Sequence, residues 1–255
     1  MKQSTKITLI GLPVLAIIGA VAWWFLATNS THNANALWQL ISQRCVVGLA
    51  KDGNPAPCTK VDKAKGYVTL KDRNGPLQYL LMPVSKITGT ESPALLQPHA
   101  PQFFSLAWNE RQLLEEKYGR PIDDQALSLA VNSAFGRTQN QLHIHISCLR
   151  ADIRAQLDKL APQLNNQWQQ FSLDNSDYQI RSLSHDEFYA QSVFQRIASE
   201  LNIDSDDMGK YGLALTTLAD GRFALLALRA SWFGMENASP ELIQDHSCSI
   251  LDPAP

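Results

Sequence analysis

The chain has 255 residues, 22 basic and 24 acidic side chains, a formal net charge of −2, and 45% apolar residues. That length supports one large domain or two small ones with a real core. No Lys/Arg cluster interleaves with aromatic residues, which argues against a nucleic-acid partner.

Residues 7–27 run without a charge. At about 1.5 Å per residue this stretch reaches about 30 Å, the thickness of a bilayer core. Lys2 and Lys6 precede it, and Trp23, Trp24 and Phe25 sit near its far end, where an aromatic belt belongs. The pattern predicts an uncleaved single-pass anchor (1–27) with everything after it exported; a cleavable signal peptide is the alternative. Without the two lysines the exported part carries a net charge of about −4. Residues 28–36 read as a short polar tether.

The remainder mixes helical and strand patterns. Residues 37–49 have helical spacing. Residues 66–70 and 78–82 are β-leaning runs joined through Asn74-Gly75, a hairpin signal, and Pro83 ends the second. Residues 103–118 repeat apolar side chains at helical spacing and stop at Gly119. A short apolar run at 126–131 leads through a turn, 132–137, into Gln141-Leu142-His143-Ile144-His145-Ile146-Ser147. Helical spacing returns at 151–164, and 211–215 with 223–228 form another hairpin candidate around Asp220-Gly221. These predict an α+β fold: an antiparallel sheet with helices on one face. The expected division is a catalytic domain at 37–165 and a C-terminal half at 166–255. Two similar phrases, 91–99 and 238–246, each follow a hairpin and suggest that the second half is a degenerate repeat.

Four cysteines make an even set for an oxidising compartment, and three pairings are possible. Cys45–Cys58, closing a short loop, and Cys148–Cys248, tying down the C-terminus, are favoured. No C-x-x-C occurs, so structural zinc and thioredoxin-like chemistry have no support.

Strict alternation at 141–147 predicts a half-buried strand with His143 and His145 on one face. Two adjacent imidazoles suit metal ligation, acid–base work or attack on phosphorus. In the turn before them, Arg137 and Thr138 offer a cation and a hydroxyl to a phosphate. Asn132 is a candidate for phosphate or ribose, while Gln141 and Ser147 share the histidine face. As metal ligands the pair would need a third donor, with Glu91, His99 and His185 as the available guesses. A non-catalytic anchored binding protein is the remaining alternative. His99, His185 and His246 otherwise read as surface residues.

The residues Gln78-Tyr79-Leu80-Leu81-Met82-Pro83, Asn132, Gly136 and Gln141–Ser147 resemble the histidine triad superfamily of nucleotide hydrolases and transferases. Gln141 stands where that pattern puts a third histidine. More narrowly, the chain is similar to the bacterial membrane-anchored CDP-diacylglycerol pyrophosphatases. The shared phrases are Gly66-Tyr67-Val68, Asn74-Gly75-Pro76-Leu77 running on into Gln78–Pro83, Gly89-Thr90-Glu91-Ser92-Pro93, Gly136-Arg137-Thr138-Gln139-Asn140 and His143–Cys148. The resemblance implies a histidine-triad-like antiparallel sheet with flanking helices behind the anchor, in a bacterial inner membrane with the catalytic domain facing the periplasm. It also implies hydrolysis of the nucleotide-lipid CDP-diacylglycerol to CMP and phosphatidate. His143 would be the nucleophile, forming a cytidylyl–histidine intermediate, with His145 its partner and no cofactor. The 231–235 stretch, Ser231-Trp232-Phe233-Gly234-Met235, is a candidate apolar rim for a mouth facing lipid.

Overall fold

The computed structural model describes residues 33–231 and 235–252. The chain from Asn35 to Pro255 forms one compact unit. Helix α1 (Ala36–Leu40) runs through a π-turn (Ile41–Cys45) into α2 (Val46–Asp52), ending at Gly53 in the left-handed region. Strands β1 (Lys60–Asp62), β2 (Tyr67–Lys71) and β3 (Tyr79–Pro83) follow as a meander. Helices α3 (Phe103–Asn109) and α4 (Gln112–Tyr118) lead to β4 (Leu127–Val131), β5 (Ile144–Leu149) and α5 (Ala151–Leu160). The C-terminal part adds β6 (Gln169–Leu173), β7 (Ser176–Leu183), α6 (His185–Ala190), α7 (Val193–Glu200), β8 (Tyr211–Thr217), β9 (Phe223–Arg229) and the short β10 (Gln244–Asp245).

All ten strands belong to one antiparallel sheet, ordered β1-β2-β3-β5-β4-β8-β9-β7-β6, with β10 paired to the end of β5. This corrects the expected fold class: the sheet does not close within the first half but continues across the β4–β8 seam. Read inward, each half repeats one plan. A hairpin, a helix pair and a second hairpin give the order β2-β3-β5-β4 on one side and β6-β7-β9-β8 on the other. The phrases 91–99 and 238–246 do not occupy equivalent places in this plan, since one follows β3 and the other β9.

The fold class needs a second correction. Among the described residues no helix is long and apolar enough to cross a membrane, and the ten-residue α5 reaches only about 15 Å. The predicted span at 7–27 lies outside the described residues. The expectations of a spanning helix ahead of the fold and of a single-pass inner-membrane protein facing the periplasm are therefore not carried further.

One sheet face carries Leu81, Leu129, Ile144, Ile146, Leu213 and Leu225, and α3, α4, α6 and α7 cover it with Phe104, Trp108, Leu114, Phe188 and Phe194. Phe104 meets Phe194 edge-on at 5.5 Å, joining the helix pairs of the two halves. The other face is covered in two patches. The α1–α2 region packs Ile41 and Cys45 on Val68, Leu80 and Met82. Helix α5 packs Ile153 and Leu157 on Leu149, Ile180 and Leu226. Each such side chain contributes about 1.5–3 kcal/mol by leaving water.

Local departures from the sequence expectations have local causes. The expected helix at 103–118 is split because Glu110 turns away to bind Tyr67 Oη (2.5 Å) and Lys60 (2.6 Å), while Arg111 pairs with Asp124. The β6–β7 hairpin, not anticipated, turns on Asp174 and Asn175, both at positive φ as a two-residue hairpin turn requires.

Both expected disulfides, Cys45–Cys58 and Cys148–Cys248, are present. The second closes a loop of 100 residues and fastens the C-terminal segment to β5 beside the β10 pairing. Replacing Cys148 and Cys248 together by serine should lower unfolding free energy by up to about 5 kcal/mol in the chain-entropy account. It should also speed amide exchange at Gln244 and Asp245. Unchanged exchange there would contradict this role for the bridge.

Candidate active site

His143 immediately precedes β5 and His145 lies within it, so the predicted strand begins three residues late. The delay arises because Leu142 N–H donates to the Ile87 carbonyl at 2.6 Å, fixing this segment to the loop after β3. The Gln141 amide donates to the Pro83 and Ser85 carbonyls, both at 3.0 Å. Gln141 is therefore a buried brace of the strand's entry, and its contribution to the pair is its backbone.

The two imidazoles share the face that helices α3, α4, α6 and α7 leave free. Their centroids lie 5.0 Å apart and their planes cross at 64°. Both are buried, at 7% and 5% exposure. Cross-strand neighbours of His145 are Leu80 on β3 and Ala130 on β4. Burial pushes both pKa values down to about 4, with His145 adding to the effect on His143. Both rings are therefore neutral at pH 7.

His143 Nδ1–H donates to the Gln141 carbonyl at 2.6 Å. A carbonyl only accepts, so the proton is on Nδ1 and Nε2 keeps its lone pair. No described residue binds that Nε2. His145 Nδ1 lies 3.2 Å from the Gln78 amide nitrogen and 3.3 Å from Glu241 Oε1. The Gln78 amide also donates to Asp72 Oδ2 at 2.8 Å, which fixes its orientation. It can then donate its second proton to His145 Nδ1, leaving the proton of the neutral ring on Nε2. That Nε2 is buried and unpartnered, which is costly unless a ligand completes it. Asp72 itself is pushed up by burial, but the Asn74 N–H and the Gln78 amide outweigh this and hold it below the usual carboxylate range.

Glu241, Gln78, Asp72 and His246 were not among the sequence candidates. Glu241 stands on the segment after β9, where the Asn132 amide donates to its Oε2 at 2.8 Å and accepts its backbone N–H at 3.3 Å. His246 Nε2 lies 3.5 Å from Glu241 Oε1, so this histidine is part of the cluster instead of a lone surface residue. Gly75 has φ +64, and a side chain there would overlap the His246 backbone. The 72–78 turn is thereby seated directly on the C-terminal segment. Gly136 likewise leaves room only for Ser239. The sequence carried one signal for part of this set: Asn74-Gly75 fixes a turn that puts Asp72 and Gln78 at the end of β3.

The other sequence candidates separate. Arg137 makes a bidentate ion pair with Glu91, both bonds 2.7 Å, so its guanidinium is engaged within the fold. Thr138 is exposed in the turn. Ser147 follows the histidines on the same face, fully buried, with an unpartnered hydroxyl. The guessed third metal donors are not brought to the pair: Glu91 is held by Arg137, His185 packs on Tyr189, and His99 is exposed. Among the described residues no group of three or more His, Cys, Asp or Glu side chains is placed to hold a metal ion.

A buried pair of neutral imidazoles, one with its attacking nitrogen free and one with a donor unspent, suits displacement at phosphorus. Comparison with known proteins agrees. The family model described as CDP-diacylglycerol pyrophosphatase matches residues 32–252. A Yersinia pestis protein named CDP-diacylglycerol pyrophosphatase is 45% identical over 225 residues, covering 88% of this chain and 87% of its own length. The chain belongs to the CDP-diacylglycerol pyrophosphatase family and is a hydrolase of CDP-diacylglycerol.

Proposed function

We propose that this chain cleaves CDP-diacylglycerol by double displacement, with His143 as nucleophile. The observation that carries this is the His143 Nδ1–H bond to the Gln141 carbonyl, which leaves Nε2 as the free nitrogen. In the first step Nε2 attacks the phosphorus bearing cytidine. The bond from that phosphorus to the bridging oxygen breaks, and phosphatidate leaves with the oxygen as a phosphate oxyanion. The ring becomes a cationic cytidylyl–imidazolium, whose Nδ1–H bond to a carbonyl strengthens as charge develops. In the second step water attacks the same phosphorus and the P–N bond breaks. One water proton stays on the phosphate of CMP, the other passes to solvent, and His143 returns to neutral.

His145 donates from Nε2–H to a non-bridging phosphate oxygen, an interaction that grows as negative charge accumulates there. Gln78, held by Asp72, selects that tautomer. With Nδ1 of His145 unprotonated, Glu241 has no hydrogen to accept there. Held by Asn132, it acts through its charge, which favours the positive charge that develops on His143, and Ser147 offers a hydroxyl below the His145 ring. Arg137 and Thr138 have no direct role in this scheme: Arg137 braces the turn that carries Asn132. The domain at 37–165 supplies the histidines, and the half at 166–255 supplies Glu241 and His246. The repeated strand order supports reading that half as a duplicate of a histidine-triad unit that has lost its histidine pair.

The first test is CMP release from CDP-diacylglycerol in detergent. His143→Asn should reduce it by at least about 10³-fold, and His145→Ala by about 10²–10⁴-fold, with EDTA leaving the wild type unaffected. Activity lost to EDTA and restored by a divalent ion would make the pair ligands and contradict the proposal.

Glu241→Gln should lower kcat by about tenfold with KM little changed, as expected for a group that stabilises charge on the His143 ring without touching substrate. A change confined to KM would place Glu241 on the substrate instead.

The pH dependence has a definite sign. Both histidines must be neutral, so kcat/KM should hold down to about pH 5 and fall only as pH approaches about 4. Between about 4 and 6.5 the unfolded chain binds more protons at these rings than the native chain does. Stability should therefore decline as pH falls through that window. An acid limb centred near 6.5 would show that the rings titrate as exposed histidines.

A further inference from the structure

We infer that His246 is the general base of the hydrolysis, taking a proton from the water that attacks phosphorus. The role rests on the double displacement proposed above, and concerns the proton that its second step releases. His246 Nε2 lies 3.5 Å from Glu241 Oε1, the same oxygen that lies 3.3 Å from His145 Nδ1. A carboxylate only accepts, so the His246 proton facing it is on Nε2 and the lone pair of the ring is on Nδ1. That Nδ1 is buried and has no partner. An imidazole with one nitrogen free and a carboxylate behind the other has the arrangement of a general base and its orienting group. The 3.5 Å approach is long for a hydrogen bond, as such contacts often are before substrate arrives, and it tightens as the ring gains charge.

The neighbouring acids and bases are already committed. His143 Nε2 is the nucleophile, and His145 Nδ1 faces the Gln78 amide. Asp72 accepts from the Asn74 N–H and the Gln78 amide, and Glu241 Oε2 accepts from Asn132. Among the described residues of this site, His246 Nδ1 is the basic nitrogen left over. The chain also fixes this ring from both sides. Gln244 and Asp245 pair with β5, and Cys248 is bridged to Cys148. The Asp245 carboxylate accepts from the N–H and the hydroxyl of both Ser247 and Ser249. Opposite them, the Gly75 turn is seated on the His246 backbone. The ring stands at the boundary of the site: 36% of its side chain is exposed, while Nδ1 is not. In the second step the water oxygen bonds to phosphorus, the P–N bond to His143 breaks, and one water proton moves to His246 Nδ1. The Glu241 carboxylate stabilises the imidazolium that results. The proton passes to solvent after CMP leaves, and the other water proton stays on CMP.

Rapid-quench kinetics of the full chain test this, on CDP-diacylglycerol in detergent, labelled in both its cytidine and its acyl chains. Phosphatidate, CMP and protein-bound label are counted separately. His246→Gln keeps an N–H for Glu241 and removes the basic nitrogen. It should release about one phosphatidate per chain at a rate within about threefold of wild type, with cytidylyl label held on the protein. CMP should then appear about 10²-fold more slowly than from wild type. Imidazole added to His246→Ala should raise CMP release at least about tenfold, a rescue that a structural histidine would not show. Turnover of His246→Gln within about threefold of wild type overturns the role. So does equal slowing of both products with no gain when imidazole is added to His246→Ala. Rescue by imidazole with no label bound in any variant keeps His246 as the base and removes the covalent intermediate, so the two readings fail separately.

Discussion

The geometry of the site hangs on the hydrogen bond from His143 Nδ1–H to the Gln141 carbonyl. An imidazole attacks with the nitrogen that lacks a proton, and a carbonyl acceptor on one side settles which nitrogen that is. The carbonyl is in turn fixed by what holds residue 141. Its side chain binds two backbone carbonyls at the end of β3, and the next residue bonds the Ile87 carbonyl. The entry to β5 is therefore fastened to the neighbouring strand before the sheet ladder begins. Burial completes the arrangement by holding both rings neutral at ordinary pH.

A ten-stranded sheet built from two similar halves explains why a C-terminal segment reaches an N-terminal site. The halves join at β4–β8, next to the strand that carries the histidines. After β9 the chain returns across β4, delivers Glu241, pairs as β10 with the end of β5, and is fastened there by Cys148–Cys248. The half that lacks paired histidines is thus bound into the site of the half that has them. This also accounts for the two-patch cover on the histidine face. Helices α1–α2 and α5 close its ends, and the returning segment borders the middle.

Much of this was legible in the chain. Alternation placed His143 and His145 on one face, Asn74-Gly75 placed the β2–β3 turn, and cysteine parity with loop length favoured the two bridges that are present. What the chain hid were relations between distant segments. Nothing local in Glu241 or His246 says that they meet a strand a hundred residues earlier. Arg137 looked like a phosphate ligand because a cation in a turn usually faces solvent, but Glu91 engages it through a loop contact that no spacing reveals. Gln141 obeys the alternation in sequence, yet its amide spends both donors on backbone. The β6–β7 hairpin was within reach, since Asp174-Asn175 has the chemistry of a two-residue turn. Its outer strand β6 is polar and partly exposed at the sheet edge. Strand β7, though largely buried between β6 and β9, mixes polar and charged residues into its run, so neither carried a clear apolar pattern.

The central claim is a covalent cytidylyl–His143 intermediate, and the stereochemical course at phosphorus tests it most directly. CDP-diacylglycerol carrying a single-configuration thiophosphate next to cytidine would be hydrolysed in oxygen-18 water, and the configuration of the CMP thiophosphate determined. Two successive in-line displacements invert twice, so the account predicts net retention. Net inversion would mean that water attacks the substrate directly, and would contradict a histidine nucleophile.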